Sequence, residues 1–141
     1  MTDYIPHHFK PEELVPKDVF TALGSRSLIL MDARILWTID MVREYFGVVI
    51  VNNWHKGGPF GQRGFRNDSN TGAVYSQHRY GRGIDFDVVG KAAEEVRQFI
   101  ISKQDRKDFQ YITAMEIGTT WVHIDCRNQA RIDGKITLIK P

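Results

Sequence analysis

Residues 84–88 read Ile-Asp-Phe-Asp-Val, a strict alternation of apolar and acidic side chains. Successive side chains of a strand point to opposite faces, so the alternation predicts a strand with one buried face and one acidic face. Asp85 is therefore expected on the polar face, opposite Ile84 and Phe86. The β-branched run from Val48 to Val51 predicts a second, buried strand.

A helical period occupies residues 31–46, where apolar side chains recur at steps of three and four. This period predicts the main helix, with Asp32 as its N-cap and Gly47 as its C-terminal stop. A second helix is predicted over 92–102, and further strands over 111–117, 121–126 and 135–139. Because helices and antiparallel strands occupy separate stretches, the sequence predicts an α+β fold.

The size and composition of the chain exclude several classes of protein. A length of 141 residues fits one domain, 1–141, and the hydrophobic content of 42% is that of a globular protein. A net charge of +2 argues against a nucleic-acid partner, and no apolar run approaches the roughly 20 residues needed for membrane insertion. The lone cysteine, Cys126, excludes a disulfide framework and is expected in the core. Nothing in the sequence requires more than a monomer.

Two histidines and one aspartate are placed so that they can converge. His123 alternates with apolar neighbours, so it takes the polar face of its strand, as Asp85 does. If the two strands are neighbours, both side chains share one face, and the glycines at 81 and 83 let His78 approach them. Such a set suits zinc, which takes three protein ligands at catalytic sites and keeps a fourth position for water. The spacing alone leaves open the alternative that these are hydrogen-bonded structural residues.

The chain carries three motifs in order: Gly64-Phe65-Arg66-Asn67, then Ser-Gln-His-Arg-Tyr-Gly-Arg-Gly-Ile-Asp at 76–85, then Trp-Val-His-Ile-Asp at 121–125. Together they resemble the zinc D-Ala-D-Ala carboxypeptidase family, peptidase family M15, which includes phage L-alanyl-D-glutamate endopeptidases and shares its fold with the hedgehog signalling domain. The resemblance covers residues 51–128. It implies a hedgehog/DD-peptidase-like fold, with an antiparallel sheet, helices packed on one side and a zinc cleft on the other.

The resemblance also implies a role for each matching residue. His78, Asp85 and His123 match the ligands of a single zinc ion. Arg66 matches the arginine that holds a substrate carboxylate or polarised carbonyl, a task that suits a planar and permanently charged guanidinium. Ser76 matches a serine that lines the same pocket. The implied activity is zinc-dependent hydrolysis of an amide bond in peptidoglycan stem peptides, by a carboxypeptidase or an endopeptidase.

The chain departs from the family pattern at two positions. Gly83 replaces a small alanine, which is a mild change. Thr120 stands three residues before the last ligand, where many members place the acidic residue or histidine that acts as general base. Glu116 then becomes the candidate base, with an exposed strand glutamate as the alternative. Asp87 and Asp125 share a strand face with the proposed ligands and are expected to orient a ligand imidazole or to contact solvent.

The sequence leaves other functions open. The chain could be a non-catalytic zinc-binding module, or a phage structural or cell-wall-binding protein of the same fold, which the missing acid at Thr120 favours. It could also be an α+β protein without a metal. The first residues show no Sec signal peptide, whereas the implied substrate lies outside the cytoplasm. A phage or prophage lytic enzyme, made in the cytoplasm and then released to the wall or carried by a virion, reconciles the two.

Three further features bear on the expected cleft. The long loop over 52–72 is expected to set its specificity, because loops of this length in compact domains are more often functional or disordered. His55 either rims the cleft or is a plain loop residue. Trp121 either forms a wall of the cleft or packs against its neighbours.

Overall fold

The computed structural model describes all residues, 1–141. Three α-helices form where apolar residues recur at helical spacing or follow a helix-starting proline: α1 (Lys17–Leu23), α2 (Ala33–Phe46) and α3 (Ala93–Ser102). Five strands form one sheet: β1 (Val49–Ile50), β2 (Gly83–Val88), β3 (Ala114–Glu116), β4 (Val122–Asp125) and β5 (Thr137–Ile139). The predicted α+β class is confirmed.

Helix α2 forms over the predicted helical period. The Asp32 carboxylate accepts a hydrogen bond from the backbone N–H of Arg34 at 2.9 Å and so caps the first turn. At the other end Gly47 has a φ of 92°, a conformation that residues with a side chain rarely adopt. The buried face of the helix packs against β1 and β2 and includes Ile35, Leu36, Ile39 and Val42.

The sheet has the strand order β1-β2-β4-β3-β5. The first three pairs are antiparallel, whereas β5 runs parallel to β3. The sheet is therefore mixed, and the prediction of a wholly antiparallel sheet is wrong. The reason lies in the segment between β4 and β5, where the Arg131 guanidinium donates to the carbonyl oxygens of Gln104 and Ile112. These bonds hold the returning chain beside the start of β3, so β5 enters the sheet from the same end as β3.

Four of the five strands are shorter than their sequence patterns, and two of these differences have a clear local reason. The strand predicted over 111–117 keeps only Ala114–Glu116, because Tyr111 belongs to a turn that follows a short 3-10 helix. Strand β1 keeps only Val49 and Ile50, because the chain turns away at Asn52. The side-chain amide of Asn52 donates to the Val15 carbonyl oxygen at 3.1 Å, which ties this turn to the N-terminal segment.

The loop predicted over 52–72 contains no α-helix or strand, and only a 3-10 turn at Trp54–Lys56. It is fastened to the N-terminal segment, since the backbone N–H of Phe65 donates to the Leu14 carbonyl oxygen at 2.9 Å. A Cβ atom at Gly64 would collide with the Leu14 backbone, so this close approach requires glycine. The loop thereby has a defined path past the polar face of the sheet.

The two faces of β2 and β4 differ in character. Ile84, Phe86 and Ile124 are fully buried in the hydrophobic core. Asp85 and His123 alternate with them, so their side chains point to the opposite face. Helices α2 and α3 both contact β2, and α3 also contacts β4. None of the helices has the length and apolar character needed to cross a membrane.

Candidate metal site

Three elements bring His78, Asp85 and His123 together. Asp85 of β2 is the direct cross-strand partner of His123 of β4, so the two side chains leave the sheet side by side. His78 lies on a 3-10 turn, Gln77–Tyr80, which Gly81 ends at a φ of 68°. A Cβ atom at Gly81 would collide with the Leu30 backbone, so only glycine allows this turn to close against its neighbour.

The polar atoms of the three side chains meet at one oxygen. The Oδ1 atom of Asp85 lies 2.8 Å from Nδ1 of His123 and 3.2 Å from Nε2 of His78. The side chains of both histidines are 3% exposed and that of Asp85 is 11% exposed, so water screens the cluster little. This buried group could hold a metal ion.

The outer nitrogens of the two imidazoles are held by hydrogen-bond acceptors. Nδ1 of His78 lies 3.0 Å from the Gly64 carbonyl oxygen, which can only accept, so Nδ1 carries the proton. Nε2 of His78 then presents a lone pair to the carboxylate of Asp85, which is also an acceptor. Nε2 of His123 lies 2.8 Å from Oδ2 of Asp125. Two hydrogen-bond acceptors at such a distance repel each other unless a proton or a cation lies between them. His78, Asp85 and His123 therefore fit a metal ion.

The ionisable groups of the cluster shift one another strongly. Burial disfavours the carboxylate of Asp85, but the adjacent imidazoles of His123 and His78 outweigh it and hold the pKa of Asp85 well below its usual range. Burial likewise disfavours the charged form of His123, yet its hydrogen bonds to Asp125 and Asp85 raise the pKa of His123 to about 9. Without a cation, the protonated imidazole of His123 lies between the carboxylates of Asp85 and Asp125 and keeps them apart.

The two aspartates expected to assist the ligands have different surroundings. Asp125 is fully buried and contacts the His123 imidazole, as described above. Despite burial, the pKa of Asp125 is lowered by hydrogen bonds from Arg127 and His123. Asp87 instead pairs with Arg63, at 3.0 Å between Nη1 and Oδ2, and its side chain is 42% exposed. The structure therefore places Asp125, and not Asp87, against a candidate ligand.

The cluster opens into a cleft of about 490 Å³. The cleft is lined by three residues that the sequence predicted for the site, Arg66, Ser76 and Glu116, and also by Trp121. The end of the chain forms another part of the wall, through residues 139–141. His55 lies outside it, on the 3-10 turn of the long loop. Of the residues that the sequence predicted for the site, Asp87 and the fully buried Asp125 are the ones that do not line this cleft.

Arg66 is buried in the wall of the cleft, where two of its three guanidinium nitrogens make hydrogen bonds. Its Nε donates to the Gln62 carbonyl oxygen at 3.1 Å and its Nη1 to the Ser76 hydroxyl at 3.4 Å. Its Nη2 lies 3.6 Å from Oδ2 of Asp85, the oxygen that the histidines leave free. Burial lowers the pKa of Arg66, and the neighbouring Asp85 carboxylate opposes that effect. Arg66 therefore braces the aspartate of the cluster.

Glu116 ends β3 and is half-buried. Its carboxylate lines the cleft and makes no hydrogen bond within the chain, so its oxygens are available to water or a ligand. Thr120 is exposed on the turn that connects β3 and β4. The structure places Glu116, and not Thr120, in position to act on a molecule in the cleft.

Arg127 is the principal residue of the cleft that sequence reasoning missed. Its guanidinium binds both carboxylate oxygens of Asp125, with Nε at 2.8 Å and Nη2 at 2.6 Å. The signal for it was present in the sequence. Residues two apart on an extended segment share a face, so continuing the series His123, Asp125 by one step leads to Arg127.

Comparisons with known proteins do not identify a family for this chain. No family model, no curated protein and no solved structure matches it. The functional conclusions therefore depend on the geometry of the cleft and on the sequence motifs described above.

Proposed function

We propose that the chain is a zinc-dependent peptidase that hydrolyses an amide bond in peptidoglycan stem peptides. The observation that carries this proposal is the convergence of His78, Asp85 and His123 on one point at the base of a cleft. Two imidazoles and one carboxylate form a donor set that suits zinc better than calcium or magnesium, which prefer oxygen ligands alone. The motif resemblance supplies the substrate class.

The protein's own residues would set up the reaction around the ion. When bound, zinc supplies Lewis acidity and lowers the pKa of water to about 7. The Gly64 carbonyl and Asp125 would keep the ligand nitrogens of the two imidazoles unprotonated and correctly aimed. Glu116 would take a proton from the attacking water at its carboxylate and pass it to the leaving amine, a role typically worth about 10²–10⁴ in rate.

The electrostatic character of the cleft supports a peptide that carries a carboxylate. Arg66, Arg127 and Lys140 line it on the positive side, against Asp85 and Glu116 on the negative side. A divalent cation on the cluster would make the balance more positive, so an anionic ligand would be favoured. Stem peptides of peptidoglycan carry such groups. We infer that the enzyme acts on the cell wall as a phage-encoded lytic protein.

Metal analysis followed by a cleavage assay tests the proposed function. The purified protein should take up about one zinc ion per chain and release new amines from muropeptides, and a chelator should abolish the release. Asp85→Asn should lose both properties. Asp87→Asn removes a carboxylate from the same strand and should keep both, because Asp87 pairs with Arg63 outside the cluster. Equal cleavage with and without chelator would refute a metal mechanism.

A non-catalytic zinc-binding module of the same architecture is the second candidate. The threonine at position 120 favours it, because a threonine cannot act as the general base that many members of the family resembled by the motifs carry there. Both candidates would bind one zinc ion, and only the peptidase would release amines. Zinc uptake combined with intact muropeptides would therefore select the module.

A further inference from the structure

The guanidinium of Arg127 has two edges with different surroundings. One edge, Nε and Nη2, is taken by the two carboxylate oxygens of Asp125. The backbone N–H of Arg127 also donates to Oδ1 of Asp125, at 3.2 Å. The remaining group, Nη1, makes no hydrogen bond within the chain and is not buried. Because Arg127 lines the cleft, its two free Nη1 donors are open to a ligand there.

Arg66 is more deeply buried than Arg127. Its side chain is 10% exposed against 28% for Arg127, and its Nε and Nη1 are bonded to Gln62 and Ser76. A Cβ atom at Gly72 would collide with Nη1 of Arg66, so the loop backbone covers that nitrogen. Arg66 is therefore the more enclosed of the two, and its remaining nitrogen, Nη2, faces the Asp85 carboxylate at 3.6 Å, whereas Nη1 of Arg127 has no partner in the chain.

We propose that Nη1 of Arg127 binds a carboxylate of the substrate and so selects anionic peptides. This inference deepens the proposed function and rests on it. A guanidinium donates charge-assisted hydrogen bonds to carboxylates, and such bonds are among the strongest that a side chain makes. The ion pair of Arg127 is made with Asp125 and not with Glu116, so Nη1 stays free.

The pairing with Asp125 gives this contact its rigidity. Three hydrogen bonds hold Arg127 to a fully buried carboxylate, so a ligand need not order a long, flexible side chain on binding. The same carboxylate holds Nε2 of His123. The bound anion and the metal ligand would thus be positioned by one common group, Asp125.

A binding comparison tests this role for Arg127. The probes are a peptidoglycan stem tetrapeptide with free carboxylates and the same peptide with every carboxyl group converted to an amide. Calorimetry on zinc-loaded protein in a Glu116→Gln background measures affinity without turnover, and mass spectrometry verifies that the peptide stays intact. Arg127→Met should weaken binding of the carboxylate form by about tenfold or more and leave binding of the amide form within about twofold. Arg26→Met, on an exposed surface away from the cleft, is the charge-matched control and should change neither.

Three further measurements distinguish loss of the anion contact from a purely structural effect. Arg127→Lys keeps the charge and should recover much of the preference for the carboxylate peptide. In the parent protein, nitrogen NMR signals of the Arg127 side chain should shift on addition of the carboxylate peptide and not of the amide peptide. Zinc content, measured for each variant, separates loss of the metal from loss of the anion contact.

The outcomes separate this inference from the proposed function. If muropeptides are cleaved but Arg127→Met binds the carboxylate peptide as tightly as its parent, the Arg127 assignment is wrong and the peptidase stands. Equal weakening for both peptides likewise overturns it, because the effect would then be structural. If neither peptide binds to the parent protein, the assignment and the proposed substrate class both fail.

Discussion

Asp85 and His123 face each other directly across β2 and β4, with 2.8 Å between the carboxylate Oδ1 and the imidazole Nδ1. The opposite face of each strand packs in the core, so the sheet fixes the backbone positions from which these two side chains extend. His78 adds a second imidazole to the same oxygen at 3.2 Å. The backbone thus brings together three groups that could hold a metal ion.

Zinc should stabilise this protein measurably. A ligand that binds only the folded state adds about 4 kcal/mol to the free energy of unfolding when present at 1,000 times its Kd. We expect a clear rise in Tm on addition of zinc to the chelated protein. Asp85→Asn should abolish the rise, whereas Asp87→Asn should preserve it. A rise of equal size in the Asp85 variant would place the ion elsewhere.

The metal-free protein should lose stability as the pH rises above neutrality. Burial opposes the charge on His123, but its hydrogen bonds to Asp125 and Asp85 raise its pKa to about 9, above the unfolded value of about 6.5. A raised pKa stabilises the fold fully below the unfolded pKa, and this stability is lost as the pH climbs through 9. The loss amounts to at most about 3 kcal/mol.

Urea unfolding of the chelated protein between pH 6 and pH 9 measures this dependence. His123→Gln removes the titrating group, so its stability should vary less over the same range. Zinc should also flatten the curve, because a bound cation replaces the proton. If the parent protein and the variant showed the same slope, His123 would not be the group responsible.

Glu116 should be needed for turnover and not for metal binding. Glu116→Gln removes the proton acceptor but keeps the shape of the side chain, so we expect kcat to fall by about 10²–10⁴ with one zinc still bound. The control is Thr120→Ala, which should leave kcat unchanged because this threonine is exposed on the turn. Rates on muropeptides and zinc content are measured together. Unchanged kcat in the glutamine variant would remove Glu116 as the base.

The turn that carries His78 should depend on a glycine at position 81. Gly81→Ala introduces both a strained φ of 68° and a collision with the Leu30 backbone, so we expect a loss of several kcal/mol in stability. Gly118→Ala is the matched control, since its φ is 81° and nothing lies within 4 Å of a new Cβ. That variant should lose only about 1–2 kcal/mol through strain. Thermal unfolding of the two variants decides whether the collision matters.

Local patterns in the chain determined the secondary structure and one face of the site. The sequence predicted the helix up to Phe46, its cap at Asp32 and the strand around Asp85, because side-chain direction follows strand and helix geometry. The same rule placed His123 on a polar face. These features depend on residues close together in sequence, where backbone geometry alone sets which side chains share a surface.

Only the tertiary structure decided which of these surfaces meet. The parallel pairing of β5 with β3 depends on Arg131, whose carbonyl partners include Gln104, 27 residues earlier in the chain. The contact between Nδ1 of His78 and the Gly64 carbonyl oxygen, 14 residues earlier in the chain, likewise joins segments that are separated in sequence. Such contacts follow from the packing of the whole chain, because hydrogen-bond partners are chosen by proximity in space and not by spacing in sequence.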